Sequence, residues 1–120
     1  MNGPQHVAIV EDDLGLRTAM YRLLTAAGVH THAYPCAEDL LAAAHADLDF
    51  VVIDIHLPGM SGFDLPPHLR GVGKAAGLIF ITAYDDADSR RRAAAAGGVY
   101  LVKPFAGHAL LHALGAQASP

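Results

Sequence analysis

The chain has 120 residues, 52% of them hydrophobic, with eight Lys and Arg against twelve Asp and Glu for a formal charge of −4. That length suits one domain with a packed core, and the composition excludes an intrinsically disordered chain, while the acidic balance argues against nucleic acid as a partner. The single cysteine, Cys36, excludes an internal disulfide and fits a reducing, cytoplasmic compartment; no apolar run of about 18 residues predicts a membrane span, and "MNGPQHVAIV" lacks the basic leader and long apolar stretch of a signal peptide.

In chain order, "HVAIV" (6–10) is a short apolar run of the kind that forms a strand covered on both faces. "LGLRTAMYRLLTAAG" (14–28) follows, with Leu16, Met20, Leu23, Leu24 and Ala27 on one helical face and Gly28 as its stop. "VHTHAY" (29–34) alternates apolar and polar residues, as a half-exposed edge strand does. A short Ala-rich helix is predicted over 37–46, then a second covered strand, "FVVID" (50–54). The next helix, within 62–73, carries Pro66 and Pro67, which fit only a helix's first turn; it must be short, start late or be distorted. "LIFIT" (78–82) and "VYLV" (99–102) are two further covered strands. Between them "DDADSRRRAAAAGG" (85–98) is a helix with acids at its start and glycines at its end. A last amphipathic helix covers 107–117, and "GAQASP" is compatible with a linker stub. The strand–helix alternation predicts one α/β domain over 6–117, with short tails at 1–5 and 118–120. Its sheet is parallel, with right-handed crossovers and helices on both faces.

Eight histidines (His6, His30, His32, His45, His56, His68, His108, His112) invite a metal reading. Only His108 and His112 stand i, i+4, and that pair reads as two histidines on a wet helix face.

Ligands of open parallel sheets bind beyond the carboxyl ends of the strands. The first strand ends in Glu11, Asp12 and Asp13, the third in Asp54, the fourth in Thr82 and the fifth in Lys103 followed by Pro104. Singly, these could be a helix cap, a turn bond and a surface lysine; jointly, such readings leave the shared location unexplained. Crowded carboxylates repel one another, and a hard divalent cation, Mg²⁺ or alternatively Mn²⁺, removes that penalty. A lysine ammonium suits a phosphoryl group, and a threonine hydroxyl can donate to it. The set suits formation of an aspartyl phosphate on Asp54, by positioning and charge neutralisation.

With "VEDD" (10–13), "DIHLPGMSG" (54–62), "ITA" (81–83) and "YLVKPF" (100–105) in this order and spacing, the chain resembles the receiver domains of two-component response regulators, of the CheY-like superfamily, over residues 6–115. The resemblance implies a doubly wound (βα)5 flavodoxin-like sandwich with strand order 2-1-3-4-5. It makes Asp54 the phosphoacceptor and a metal ligand, and Glu11 and Asp12 the acidic pair that organises Mg²⁺, Asp12 directly and Glu11 through water. Asp13 stands one place past that pair, or inside it if the pair is Asp12–Asp13. The backbone carbonyl of His56 becomes a further metal ligand, Thr82 the switch hydroxyl, Tyr100 the switch aromatic and Lys103 the phosphoryl contact, with a cis Lys103–Pro104 bond. The implied donor is a sensor histidine kinase or a histidine phosphotransfer protein. The implied output is a shape change of the fourth-helix, fifth-strand, fifth-helix face, on which a homodimer could form and near which "SRRR" (89–92) lies.

Such a domain promotes its own phosphorylation without turning over a free substrate. Two other readings stay open: a Mg²⁺-dependent phosphatase or phosphotransferase, and a receiver-fold binding module working without phosphorylation. Against the first, Asp54 is followed by Ile55 and His56, not by the DxDxT pattern of haloacid-dehalogenase-like phosphatases. Gly98 stands where the family usually has alanine and is expected to loosen the turn into the last strand. His56 and Tyr84 are expected to flank the phosphoryl group and to restrict the attacking water.

Overall fold

A computed structural model of the chain describes residues 5–43, 48–69 and 76–115. Among these residues the strands are β1 (His6–Val10), β2 (His30–Tyr34), β3 (Phe50–Asp54), β4 (Gly77–Thr82) and β5 (Val99–Val102). The helices are α1 (Leu14–Ala26), α2 (Ala37–Ala42), α3 (Leu65–Leu69), α4 (Ala87–Ala95) and α5 (Gly107–Ala113). All pairings are parallel and the order is β2-β1-β3-β4-β5, the flavodoxin-like order.

Strand alternation divides the core in two. Val7, Ile9, Val52, Ile79 and Ile81 face Met20 and Leu24 of α1 and Leu110 of α5. Ala8, Val10, Val51, Ile53 and Phe80 face Leu40 of α2, Leu65 of α3 and Ala93 of α4. Central strands buried on both faces must be apolar throughout, which is why β1, β3 and β4 read as unbroken runs. β5 departs from that expectation. It is the outer strand, Val99 is 40% exposed and its other residues are half-buried. Four residues cannot reveal from sequence whether a neighbour lies on one side or two.

The proline pair resolves into a late start. A short 3₁₀ turn over Gly62–Asp64, capped by the Ser61 hydroxyl accepting from Phe63 N at 3.2 Å, leads into α3. Pro66 and Pro67 occupy the first turn of α3, where no intrahelical donor is needed. The predicted continuation over 70–73 lies outside the described residues, as do 44–46 of the second helix and 116–117 of the last. Gly98 has a packing role as well. A Cβ there would sit 2.7 Å from the Phe80 ring, so the missing side chain permits that close approach.

Candidate functional site

The backbone ladder runs past the strand ends and fixes the residues that follow them. Ile55 N donates to Ile81 O (2.9 Å), Lys103 N to Thr82 O (2.7 Å) and Glu11 N to Tyr34 O (3.0 Å). Asp54 and Lys103 are thereby held on either side of β4 at the carboxyl edge, and the Lys103–Pro104 bond is cis.

At that edge the side chains converge. Lys103 Nζ lies 2.9 Å from Asp54 Oδ2 and 2.8 Å from Glu11 Oε1. Glu11 is fully buried and Asp54 is 4% exposed, so both carboxylates are removed from water at a cost that one ammonium only partly offsets. His56 N donates to Asp54 Oδ1 at 3.0 Å, and Asp13 N to Glu11 Oε2 at 3.0 Å. Burial pushes the Glu11 carboxyl up to about 7, with Asp54 adding to the rise; Lys103 and the Asp13 N–H oppose it. Burial pulls the Lys103 ammonium down, but Glu11 and Asp54 outweigh it and leave its pKa raised.

Asp12 is exposed and completes the cluster: Glu11, Asp12 and Asp54 each offer an oxygen within 4.8 Å of the others. The donor set fits a hard divalent cation in three respects. All three donors are carboxylate oxygens. Three carboxylates against one ammonium leave an excess of negative charge. Glu11 Oε1, buried, meets Lys103 as an ion pair without a well-directed hydrogen bond. Asp13 is engaged elsewhere: its Oδ2 accepts from Leu16 N at 2.8 Å and caps α1. The structure therefore groups Glu11 with Asp12 and leaves Asp13 at the helix start.

Thr82 is fully buried, and its Oγ1 accepts from Tyr84 N (2.9 Å) and donates to Tyr84 O (3.1 Å). Tyr100 is half-buried; its hydroxyl reaches Asp85 Oδ1 at 3.3 Å, and the Arg90 guanidinium lies 4.8 Å over its ring. The three arginines of "SRRR" all have intramolecular partners. Arg90 clasps Asp85 through two bonds (2.7 and 2.8 Å), Arg91 pairs with Asp88, and Arg92 lies 4.4 Å over the Phe63 ring. His56 and Tyr84 meet edge to face with centroids 5.3 Å apart, and Tyr84 is 68% exposed. Beside them an open groove of about 730 Å³ runs between the loop after β3 and the start of α4, lined in part by His56, Met60, Phe63 and Asp86.

Two positioning residues escaped the sequence reading. Arg17 donates from Nη1 to Glu11 O (2.9 Å) and ties the acidic loop to α1; its only sequence signal is a basic residue one turn into the helix after the acids. Gly62 lets the loop after β3 fold back on the acceptor. Its N donates to Ile55 O, and a Cβ would lie 2.4 Å from the Asp54 carbonyl oxygen.

The family model of the response regulator receiver domain matches residues 7–115. The chain belongs to the response regulator receiver family. It is 34% identical over 110 residues to nodulation protein W of Bradyrhizobium diazoefficiens, covering 90% of this chain and 48% of that protein. It is 39% identical over 99 residues to the two-component response regulator PhoP of Pseudomonas aeruginosa, covering 81% and 44%. The chain thus spans about half the length of these curated relatives. Among solved structures, a response regulator receiver protein from Burkholderia phymatum superposes with a TM-score of 0.76 at 34% identity, covering 92% of this receiver and 95% of that chain. DrrB of Thermotoga maritima superposes with a TM-score of 0.82 at 26% identity, covering 93% and 51%. No helix among the described residues is long and apolar enough to cross a membrane.

Proposed function

We propose that this receiver takes a phosphoryl group from the phosphohistidine of a sensor kinase or phosphotransfer protein onto Asp54. The observation that carries the reading is Asp54 itself: a nearly fully buried carboxylate at a strand end, held by Lys103 at 2.9 Å, with Glu11 and Asp12 beside it. An Asp54 oxygen attacks phosphorus, the P–N bond to the donor histidine breaks, and its electrons remain on the imidazole. Glu11, Asp12 and Asp54 would hold Mg²⁺, with the His56 carbonyl as a further ligand. Bound there, the cation supplies positive charge against the phosphoryl oxygens. His56 N fixes one Asp54 oxygen, and Lys103 is placed to turn from the carboxylates to the new group.

The added negative charge draws the Thr82 hydroxyl from its bonds to Tyr84, and Tyr100 leaves Asp85 and Arg90 to turn inward. The face of α4, β5 and α5 then changes for an output domain, a partner or a second copy. His56 and Tyr84, in edge contact, narrow the approach of water and set the phosphoryl lifetime; replacing both with alanine speeds loss of the group. In this reading the domain is a cytoplasmic signalling module and not a turnover enzyme.

Intact mass after incubation with acetyl phosphate and Mg²⁺ tests the function. One added phosphoryl group, absent in Asp54→Asn, is expected. Continuous phosphate release from varied esters would replace this reading with a phosphatase. Partner binding indifferent to acetyl phosphate, with no mass change, would replace it with a phosphorylation-independent module.

A further inference from the structure

β2 carries histidines at alternate positions, and side chains two apart on a strand share a face. The parallel register sets His6 of β1 against His30 and Ala8 against His32, which brings three imidazoles onto one face of the β1–β2 edge. The His6 and His30 rings are 4.8 Å apart at centroids with planes 11° apart; His6 and His32 are 6.4 Å apart at 10°. His6 and His30 are exposed and His32 is half-buried, so ions can reach them. Glu11 stands five positions beyond His6, about 16 Å of strand, so this group lies at the opposite end of the sheet from Asp54. Polar residues on an edge strand discourage pairing with other chains, but a single threonine or lysine would do that. Neutral imidazole is the commonest metal ligand.

We propose that His6, His30 and His32 form a site for a first-row transition cation that prefers nitrogen, Zn²⁺ foremost. Two imidazoles sharing a tetrahedral zinc at about 2.0–2.1 Å per bond have centroids about 5 Å apart, the separation His6 and His30 already hold. The rings face one another nearly parallel and their nitrogens do not converge as they stand, so ligation requires all three to turn about their side-chain bonds and His32 to approach His6 by about 1 Å. Three histidines leave the fourth position for water or a small anion. Asp49 brings a carboxylate to the same end, its Oδ2 accepting from His6 N at 2.8 Å, and offsets the cation's charge. The two ends of the sheet thus sort cations by donor, oxygen for Mg²⁺ and nitrogen for Zn²⁺.

Calorimetric titration of the full chain with Zn²⁺ in saturating Mg²⁺ tests the proposal. One zinc per chain is expected, with affinity at least tenfold lower in His6→Gln/His30→Gln and unchanged in His108→Gln/His112→Gln. Equal affinity in the wild type and the first double variant overturns the site, as does the lack of any zinc uptake in saturating Mg²⁺. A second readout needs no variant. Zinc should shift the ring-proton NMR signals of His6, His30 and His32, and shifts confined to other histidines would contradict the assignment.

Discussion

Glu11 and His6 flank the same strand, and their surroundings have little in common. Glu11, just past the carboxyl end of β1, is fully buried, ion-paired to Lys103 and pushed up in pKa by that burial. His6, at the amino end, is exposed and stacks on other histidines of the edge. Buried charges share partners, so changing one disturbs its neighbours, whereas the edge histidines meet water and one another's rings and carry no buried charge. The contrast is a consequence of the parallel sheet. Every strand delivers its carboxyl end to one edge, where the loops fold back over the side chains.

Lys103→Met is the harshest test of that coupling, because it leaves two buried carboxylates without their ammonium. A loss of about 3–5 kcal/mol is expected in urea unfolding at pH 8. The loss should shrink at pH 5.5, where Glu11 can take up a proton. An equal loss at both pH values would mean the pair is not coupled as described. Next comes Gly62→Ala, whose Cβ would meet the Asp54 carbonyl at 2.4 Å. Overpacking of that kind costs about 1–3 kcal/mol, and acetyl phosphate labelling should slow with it. Unchanged labelling would show that the loop need not sit so close.

The same burial gives a pH effect on the unliganded protein. The Glu11 carboxyl titrates near 7 when folded, against 4.5 for the free group. Between those values the folded chain holds a proton that the unfolded chain has released, so this group's contribution to stability falls as pH rises from 4.5 to 7. Mg²⁺ favours the ionised form, and the rise in Tm that it brings should be larger at pH 8 than at pH 5.5. A larger rise at pH 5.5 would contradict the assigned direction. At the bottom of the scale, Arg91→Ala removes an exposed pair with Asp88 and should melt indistinguishably from the wild type.

Much of the frame was legible from residue order, for a physical reason. Strands buried on both faces cannot carry polar residues in mid-run, so Glu11 just past 6–10, Asp54 and Thr82 mark the edge where the polar side chains gather. Local rules also said that Pro66 and Pro67 make the third helix short, late or distorted, and left the choice among these to the fold. Whatever depended on contacts across the fold was not legible. "VEDD" offers three acids, and it took the cap from Asp13 to Leu16 N to show that Glu11 and Asp12 are the two that face Asp54. Gly98 could be read only as a loose turn until the Phe80 ring was seen against it. β5 looked covered because short apolar runs do not say how many neighbours they have. His6 and His30 lie 24 positions apart, and only the β1–β2 register makes them neighbours.

The central claim is that Glu11, Asp12 and Asp54 share one divalent cation beside Lys103. Calorimetric titration with Mg²⁺ at pH 8 addresses it most directly. A single site per chain in the wild type, with its heat lost in Asp12→Asn/Asp54→Asn, is the result expected. No uptake by the wild type, or uptake unaltered by that double substitution, would contradict it.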